Sequence, residues 1–419
     1  MPRNISQLSD IKISADFKGF PLKAQGKSIS EFLSTKPNIF SSEFLFPVLV
    51  LKESAIKNNI ANMKRFCESH KVKLGPHVKT TMSPQLANLQ IQNGATWLTI
   101  ANLQQLLIFK DFGFKDFFIA NEVANDSALI QIGKFNASGE AKIAFCVDST
   151  NSAKRLREIC IKDTGLKFEI YVEIGADNAR AGLRDLAELE NILGILKLEN
   201  INIGGISGFE GALPKAGRSN KGLKAVAKFT NKLLTALEIA EKFCNRKLKL
   251  TAGGSAFFDV VAKQLSQDGK NEVILRSGGY LTHDHVHYEE LYPFKDSHEF
   301  HFEPALELCS EVLSNPEPGL SLLNFGKRDV GNDLDNPVPL WRIPAKAKSS
   351  GIKAAQPINA KITQLNDQHG FMEHKKIEIN YSDLIGLGIS HPCTNFDKWK
   401  VLFMVNDNYD VIDCIHTYF

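Results

Sequence analysis

Three stretches of the 419-residue sequence combine residue types that can bind or transform a small molecule. The first is Gly75-Pro76-His77-Val78-Lys79-Thr80. A partly desolvated lysine amine titrates low and attacks carbonyl groups, whereas a lone lysine is more often a solvated surface group. His77, two residues earlier, shares a face with Lys79 if the segment is extended. It either orients a ligand or sits as a satisfied core histidine. The second stretch is split over two glycine pairs, Thr251-Ala252-Gly253-Gly254-Ser255 and Arg276-Ser277-Gly278-Gly279-Tyr280. Glycine lets the backbone approach a ligand closely, and successive N–H groups form an anion-binding nest. The third is His391-Pro392-Cys393. In an extended segment residues i and i+2 face the same way, so an imidazole and a thiolate could converge on one ion, a donor pair suited to Zn²⁺. A rival metal motif is His283-Asp284-His285-Val286-His287, whose three imidazoles would alternate onto one face of a strand. The preferred reading of that run is a polar strand end that hydrogen-bonds substrate or solvent. Asp329 and Asn332-Asp333-Leu334-Asp335 read first as a solvated loop, with lining of the site as the lesser alternative.

Eight strand-like runs stand ready to carry these groups: 72–80, 97–102, 116–123, 142–149, 167–174, 202–210, 247–254 and 272–284. Helix-like stretches alternate with them. Ser83–Gln92 opens on Ser-Pro, a capping pair, and 102–110 follows the second run. In 185–198 and 225–243, Leu186, Leu189, Leu193 and Leu196, then Phe229, Leu233, Leu237 and Ile239, recur at helical spacing. Strand–helix alternation implies a parallel sheet, and eight units imply a (β/α)8 TIM-like barrel, with an open doubly wound sheet as the alternative. Active sites of such barrels lie at the C-terminal ends of the strands, and phosphate is often bound after strands seven and eight. Lys79 then ends strand one and the glycine pairs end strands seven and eight. A phosphate site facing a lysine suits pyridoxal phosphate. From about residue 300 the pattern changes to short strand-like pieces such as 305–313, 320–324 and 401–405, with a polar stretch at 345–357. The expected organisation is an α/β barrel over 46–300, a mainly β domain over 301–419 carrying the His-x-Cys motif, and an N-terminal segment 1–45 packed on that domain.

Composition narrows the partners. The net charge is +3 with Lys and Arg scattered, so neither a nucleic acid nor an acidic surface is implied. No apolar run approaches the roughly 18–20 residues that span a bilayer, and MPRNISQLSD has no apolar segment of the secretory kind. The seven cysteines show no paired spacing. Cys67, Cys146, Cys160 and Cys244 fall in apolar patterns, as reduced core cysteines do. A cytoplasmic, soluble protein acting on a small molecule is expected.

The segment PHVKTTMSPQLANLQIQNGA resembles the cofactor-lysine motif of the D-threonine aldolase and D-serine dehydratase family, which has an alanine-racemase-like fold. The resemblance continues in order through IANEV (119–123), VEIGADNARAG (172–182), GFEG (208–211), TAGGS (251–255), LRSGGYLTHD (275–284) and SHPCTNFDKW (390–399). The ending is most similar to a bacterial subgroup called amino-acid deaminases. The resemblance implies that Lys79 holds pyridoxal 5'-phosphate through its amine and that Arg180 lies near the cofactor ring. The family has cysteine where this chain has Ala181, a mild departure. It also implies that Gly253, Gly254 and Ser255, with Ser277, Gly278, Gly279 and Tyr280 opposite, bind the phosphate, with Asn121 a weaker candidate contact. His391 and Cys393 would hold a divalent ion, Zn²⁺ by the softness of the thiolate, and the chain would form a homodimer.

What this implies chemically is a lyase for D-amino acids with a β-hydroxyl, of which D-serine is the simplest. Lys79 acts as base at the α-carbon and the ion helps the hydroxyl leave. A keto acid and ammonia result. The family's aldolases carry aspartate where this chain has Cys393, so the thiolate favours dehydration over retro-aldol cleavage. Two rivals remain. A non-catalytic pyridoxal-phosphate carrier would need only the barrel, and a racemase would need a second base on the opposite face.

Overall fold

The computed structural model describes residues 3–213, 217–295, 297, 299–375 and 377–419. The chain divides into two compact units. The first comprises 63–79 and 89–278; the second comprises 3–62, 80–88 and 279–419. These limits differ from those expected at 46–300 and 301–419. Strand β1, Val48–Lys52, precedes the barrel in sequence but pairs within the sheet of the second unit.

The first unit is the barrel. Its eight strands are β2 (Lys73–Leu74), β3 (Leu98–Ile100), β4 (Asp116–Glu122), β5 (Lys142–Val147), β6 (Phe168–Ile174), β7 (Ile201–Gly208), β8 (Lys249–Ala252) and β9 (Glu272–Leu275). All neighbouring pairs are parallel, in the order β2-β9-β8-β7-β6-β5-β4-β3. The two end strands meet through Thr96 N–H to Leu74 O (2.8 Å), Thr99 N–H to Pro76 O (2.9 Å) and a parallel bridge from His77 to Thr99. The sheet therefore curls shut, which removes its edges. Connecting helices start on the residues that cap best: Asn102, Asn125, Ser149 and Ser219 each accept a backbone N–H of the first turn. The helix-like stretches 83–92, 102–110, 185–198 and 225–243 fall on the helices at 84–92, 103–111, 189–195 and 220–244, whereas 126–138, 150–162 and 258–266 were not singled out.

The barrel is filled, not hollow. Trp97, Phe118, Ala144, Cys146, Tyr171 and Ile274 form one buried cluster. The Trp97 and Phe118 rings stack at 5.5 Å, and Tyr171 meets Phe118 edge-on at 5.2 Å. Gly205 is required beside them, since a Cβ there would fall 2.0 Å from the Lys249 carbonyl oxygen.

The second unit is built on strands that pair antiparallel except for β1 with the strand Val401–Val405, which are parallel. Besides β1 it contains β10 (Leu306–Glu317), β11 (Leu320–Leu323), β12 (Val338–Ile343), β13 (Gln356–Pro357), β14 (Ala360–Leu365), β15 (Gly370–His374), β16 (Leu384–Gly388), β17 (Val401–Val405) and β18 (Val411–His416). The main path runs β13-β12-β16-β10-β1-β17-β18, and β11, β15 and β14 extend from β10. The unbroken apolar run Val48–Leu51 occupies a central position because both faces are buried. The N-terminal residues pack onto this sheet: Phe20, Phe32, Phe40 and Phe44 join Val48, Trp341 and Phe403 in one core. The Phe20 and Phe403 rings lie 4.6 Å apart. No helix among the described residues is long and apolar enough to cross a membrane.

Candidate active site

Lys79 does not end a regular strand. β2 is only two residues long, and Val78–Thr80 form a 3₁₀ turn that leaves Lys79 exposed. His77 and Lys79 are therefore not alternate residues of one strand. Instead the Lys79 N–H donates weakly to His77 Nδ1 at 3.4 Å. Burial, followed by the positive charges of Lys79, Arg276 and Arg180, pushes the His77 pKa well below its usual value. His77 is thus a neutral group within a cationic field at the barrel's C-terminal end.

Arg276 supplies much of that field, and the sequence reading did not select it. It is 7% exposed and follows the buried run Val273–Leu275. Its guanidinium donates to Ser207 Oγ and to Gly208 O, both at 2.7 Å, and lies 5.3 Å over the Phe118 ring. An arginine directly after an apolar barrel strand was the available signal. Arg180 occupies an exposed turn, with its guanidinium 4.9 Å over the Phe209 ring. Other cations hold this turn. Arg184 donates to the carbonyls of Ala179 (3.3 Å) and Ala181 (3.2 Å), and Lys232 donates to those of Gly175 (2.8 Å) and Arg184 (2.6 Å).

The glycine pair at the end of β8 differs from expectation. Gly253, at φ +89°, and Gly254 do form a nest of N–H groups. The nest already holds an anion, the buried Glu210 carboxylate, which accepts from Gly253 N–H at 3.1 Å and from Gly254 N–H at 2.6 Å. Glu210 belongs to the GFEG motif, yet its role needs a tertiary contact across 43 residues. Ser277, fully buried, donates its hydroxyl to Gly253 O at 3.0 Å. Ser255 and Gly278 are half-buried, while Gly279 and Tyr280 are buried in a 3₁₀ turn that replaces the expected continuation of strand eight. Asn121 is exposed and accepts the Glu122 N–H.

Three carboxyls lie together at the ends of β4, β5 and β6. Burial, then Asp148 and Glu173, raise the pKa of Glu122 to about 8, against a hydrogen bond with Ser152. Its Oε1 has no partner among the described residues. Glu122 is therefore a protonated acid at neutral pH.

The second unit carries the His-x-Cys turn directly after β16. His391 and Cys393 hydrogen-bond each other, and His391 Nδ1 meets Asp333 Oδ2 at 2.8 Å. Burial opposes a charge on His391, but Cys393 and Asp333 outweigh it and raise its pKa to about 9. Thr80, the residue after Lys79 in the chain, places its hydroxyl 3.2 Å from Cys393 Sγ. An imidazole and a thiol in contact form a donor pair that fits a zinc-like ion. Among the described residues no group of three or more His, Cys, Asp or Glu could hold a metal.

The rival histidine run does not form a chelating face. His283 adopts φ +43°, and a short helix begins at His287, so the segment is not a strand. His283 pairs with Glu289 at 2.9 Å. His285 is buried against Gly388, where a Cβ would come within 2.5 Å of the ring, and burial lowers its pKa to about 4. His287 alone turns toward His391, with ring centroids 5.5 Å apart.

Residues 305–405 match a family model described as "Putative serine dehydratase domain". The chain is 24% identical over 303 residues to the D-threonine aldolase of Arthrobacter sp., covering 70% of this chain and 74% of that protein. It is 29% identical over 137 residues to the D-threo-3-hydroxyaspartate dehydratase of Delftia sp. (strain HT23), covering 33% of this chain and 35% of that protein. Among solved structures, a metal-free cysteine-to-alanine variant of D-threo-3-hydroxyaspartate dehydratase superposes with a TM-score of 0.74 at 18% identity, covering 91% of this chain and 99% of that one. An alanine racemase of Clostridium difficile 630 gives 0.62 at 14% identity, covering 90% and 99%. By sequence the chain is similar, each over part of its length, to the putative serine dehydratase domain, a D-threonine aldolase and a D-threo-3-hydroxyaspartate dehydratase, and its fold, a parallel barrel and a mainly β unit, is similar to that of alanine racemase.

Proposed function

We propose that the protein is a pyridoxal-phosphate- and metal-dependent lyase that eliminates water from D-β-hydroxy amino acids, giving a keto acid and ammonia. The observation that carries this reading is the His391–Cys393 pair, a nitrogen and sulfur donor set in mutual contact. When bound, pyridoxal phosphate supplies a sink for negative charge at the substrate's α-carbon, and a divalent ion supplies Lewis acidity toward the β-hydroxyl oxygen. Lys79 fits the first group, since its amine is exposed in a field made positive by Arg276 and Arg180. That field also attracts the cofactor's phosphate and the substrate's carboxylate.

The Gly253 and Gly254 N–H groups do not fit a phosphate contact, because Glu210 already accepts from both. Glu210 instead braces the turn that presents Ser255. Phosphate contacts then fall to Ser255 and to the segment Gly278-Gly279-Tyr280. In this reading Lys79 would withdraw the α-proton, His391 and Cys393 would hold a divalent ion that supplies Lewis acidity toward the leaving hydroxyl, and the enamine left by loss of water would hydrolyse to the keto acid and ammonia. With Lys79 as the single base on one face of the cofactor, only one enantiomer would present its α-hydrogen to it.

The similarity to D-threonine aldolase over 70% of the chain favours retro-aldol cleavage as the second reading. A carrier without catalysis would have no use for the His-x-Cys turn. D-threonine separates the two lyase readings, because dehydration yields 2-oxobutyrate and ammonia whereas cleavage yields glycine and acetaldehyde. Keto acid and ammonia from D-serine and D-threonine, with little from the L-forms, are the expected products. Glycine and acetaldehyde as main products would reject the dehydratase.

A further inference from the structure

The loop at 329–335 has no place in the reaction above, yet it is fastened to the His-x-Cys turn at every step. Trp399 Nε1–H donates to Asp329 O at 2.8 Å, and Gly331 N–H donates to Asn395 Oδ1 at 3.0 Å. Ser390 Oγ–H donates to Asp335 O, and Thr394 Oγ1–H donates to Asp333 Oδ1 at 2.6 Å. Approach is so close that a Cβ on Gly331 would lie 2.2 Å from Thr394 Oγ1. Within this brace, the second oxygen of Asp333 faces His391 Nδ1 at 2.8 Å.

We infer that Asp333 is the positioning residue of the metal pair: it accepts the Nδ1–H of His391, fixes the imidazole tautomer and aims Nε2 at the ion. The inference rests on the proposal that His391 and Cys393 hold a divalent ion. A neutral imidazole has one protonated and one lone-pair nitrogen, and a bond at one nitrogen decides which atom can ligate. Carboxylates in this place also make the ligating nitrogen more basic. Thr394 holds the carboxylate by its other oxygen, so Asp333 cannot rotate away without losing two bonds. In a site built on a pair of protein ligands, the orientation of one of them carries a large part of the preorganisation. The side chain of Asp333 is 40% exposed, so its replacement leaves no buried void.

The experiment is a zinc titration of the cofactor-loaded enzyme against a chromophoric competing chelator, on wild type and on Asp333→Ala, Asp333→Asn and Thr394→Val. Zinc affinity should fall by about 10- to 100-fold in Asp333→Ala, the usual effect of losing such a partner. Asp333→Asn should fall between Asp333→Ala and wild type, because its amide oxygen still accepts the Nδ1–H without the charge. Thr394→Val should weaken binding less than Asp333→Ala. Cofactor content and melting temperature should stay at wild-type values in all three, which separates positioning from a merely structural role. Wild-type zinc affinity in Asp333→Ala overturns the inference. His391→Ala and Cys393→Ala run in parallel: if they retain zinc as wild type does, the metal pair itself is wrong, and the role of Asp333 falls with it.

Discussion

Replacing Glu122 with glutamine should make the protein more stable, by an amount that depends on pH in a defined way. The Glu122 carboxyl is raised from 4.5 to about 8 by burial and by Asp148 and Glu173. Its folded-state pKa thus lies above the unfolded value, so protonation favours the fold. The contribution is fully present below pH 4.5 and is lost as pH rises through about 8. Between those limits the wild type loses ~1.4 kcal/mol per pH unit relative to a residue that cannot ionise. At pH 7 the accumulated loss is about 3 kcal/mol, and above pH 8 it levels off at about 4–5 kcal/mol. Glutamine is isosteric with the protonated acid and keeps an oxygen for Ser152 and for the Asp148 N–H. Urea unfolding of Glu122→Gln and wild type should be followed at pH 5, 6, 7, 8 and 9, with native-state hydrogen exchange of β4–β6 isolating the barrel. The two stability profiles should nearly meet at pH 5 and diverge up to pH 8. A difference that stays constant across this range would refute the reasoning, because it would mean that Glu122 ionises normally.

Three further outcomes test the site. Borohydride should fix the cofactor to one peptide containing Lys79, and Lys79→Ala should lose both the yellow chromophore and activity; label on another lysine would displace the site from the end of β2. Chelation should abolish most turnover while leaving the chromophore intact, zinc should restore it, and His391→Ala or Cys393→Ala should reproduce the chelated state; full turnover in a demonstrably metal-free sample would remove the ion from the reaction. Glu210→Ala should strand the Gly253 and Gly254 N–H groups, costing about 1–3 kcal/mol of stability and weakening cofactor retention, read by denaturant midpoint and by dialysis; an unchanged midpoint would show that the nest does not depend on the carboxylate.

The barrel was legible in the chain because its cause is local. Eight apolar runs separated by capped helices must be buried on both faces, and parallel pairing follows from the length of each crossover. The same local logic exposed Lys79, the glycine pairs and His391-x-Cys393, whose spacing is short enough to be read along one segment. What the tertiary structure decided involves partners far apart in sequence. Strand β1, which lies inside the expected barrel limits of 46–300 but ahead of the eight runs, joins the second unit because its register partners are Leu306–Cys309 and Phe403–Val405, more than 250 residues away. The extended reading of 283–287 failed because His283 takes a positive φ and a short helix begins at His287. Glu210 fills the nest that glycines alone had reserved for phosphate, and Asp333, read as solvated loop, meets His391 across 58 positions. Residue types disclose which groups can do chemistry, because reactivity is intrinsic to the side chain. Which carboxylate faces which donor is a matter of distance in space, and that is set only when the whole chain has packed.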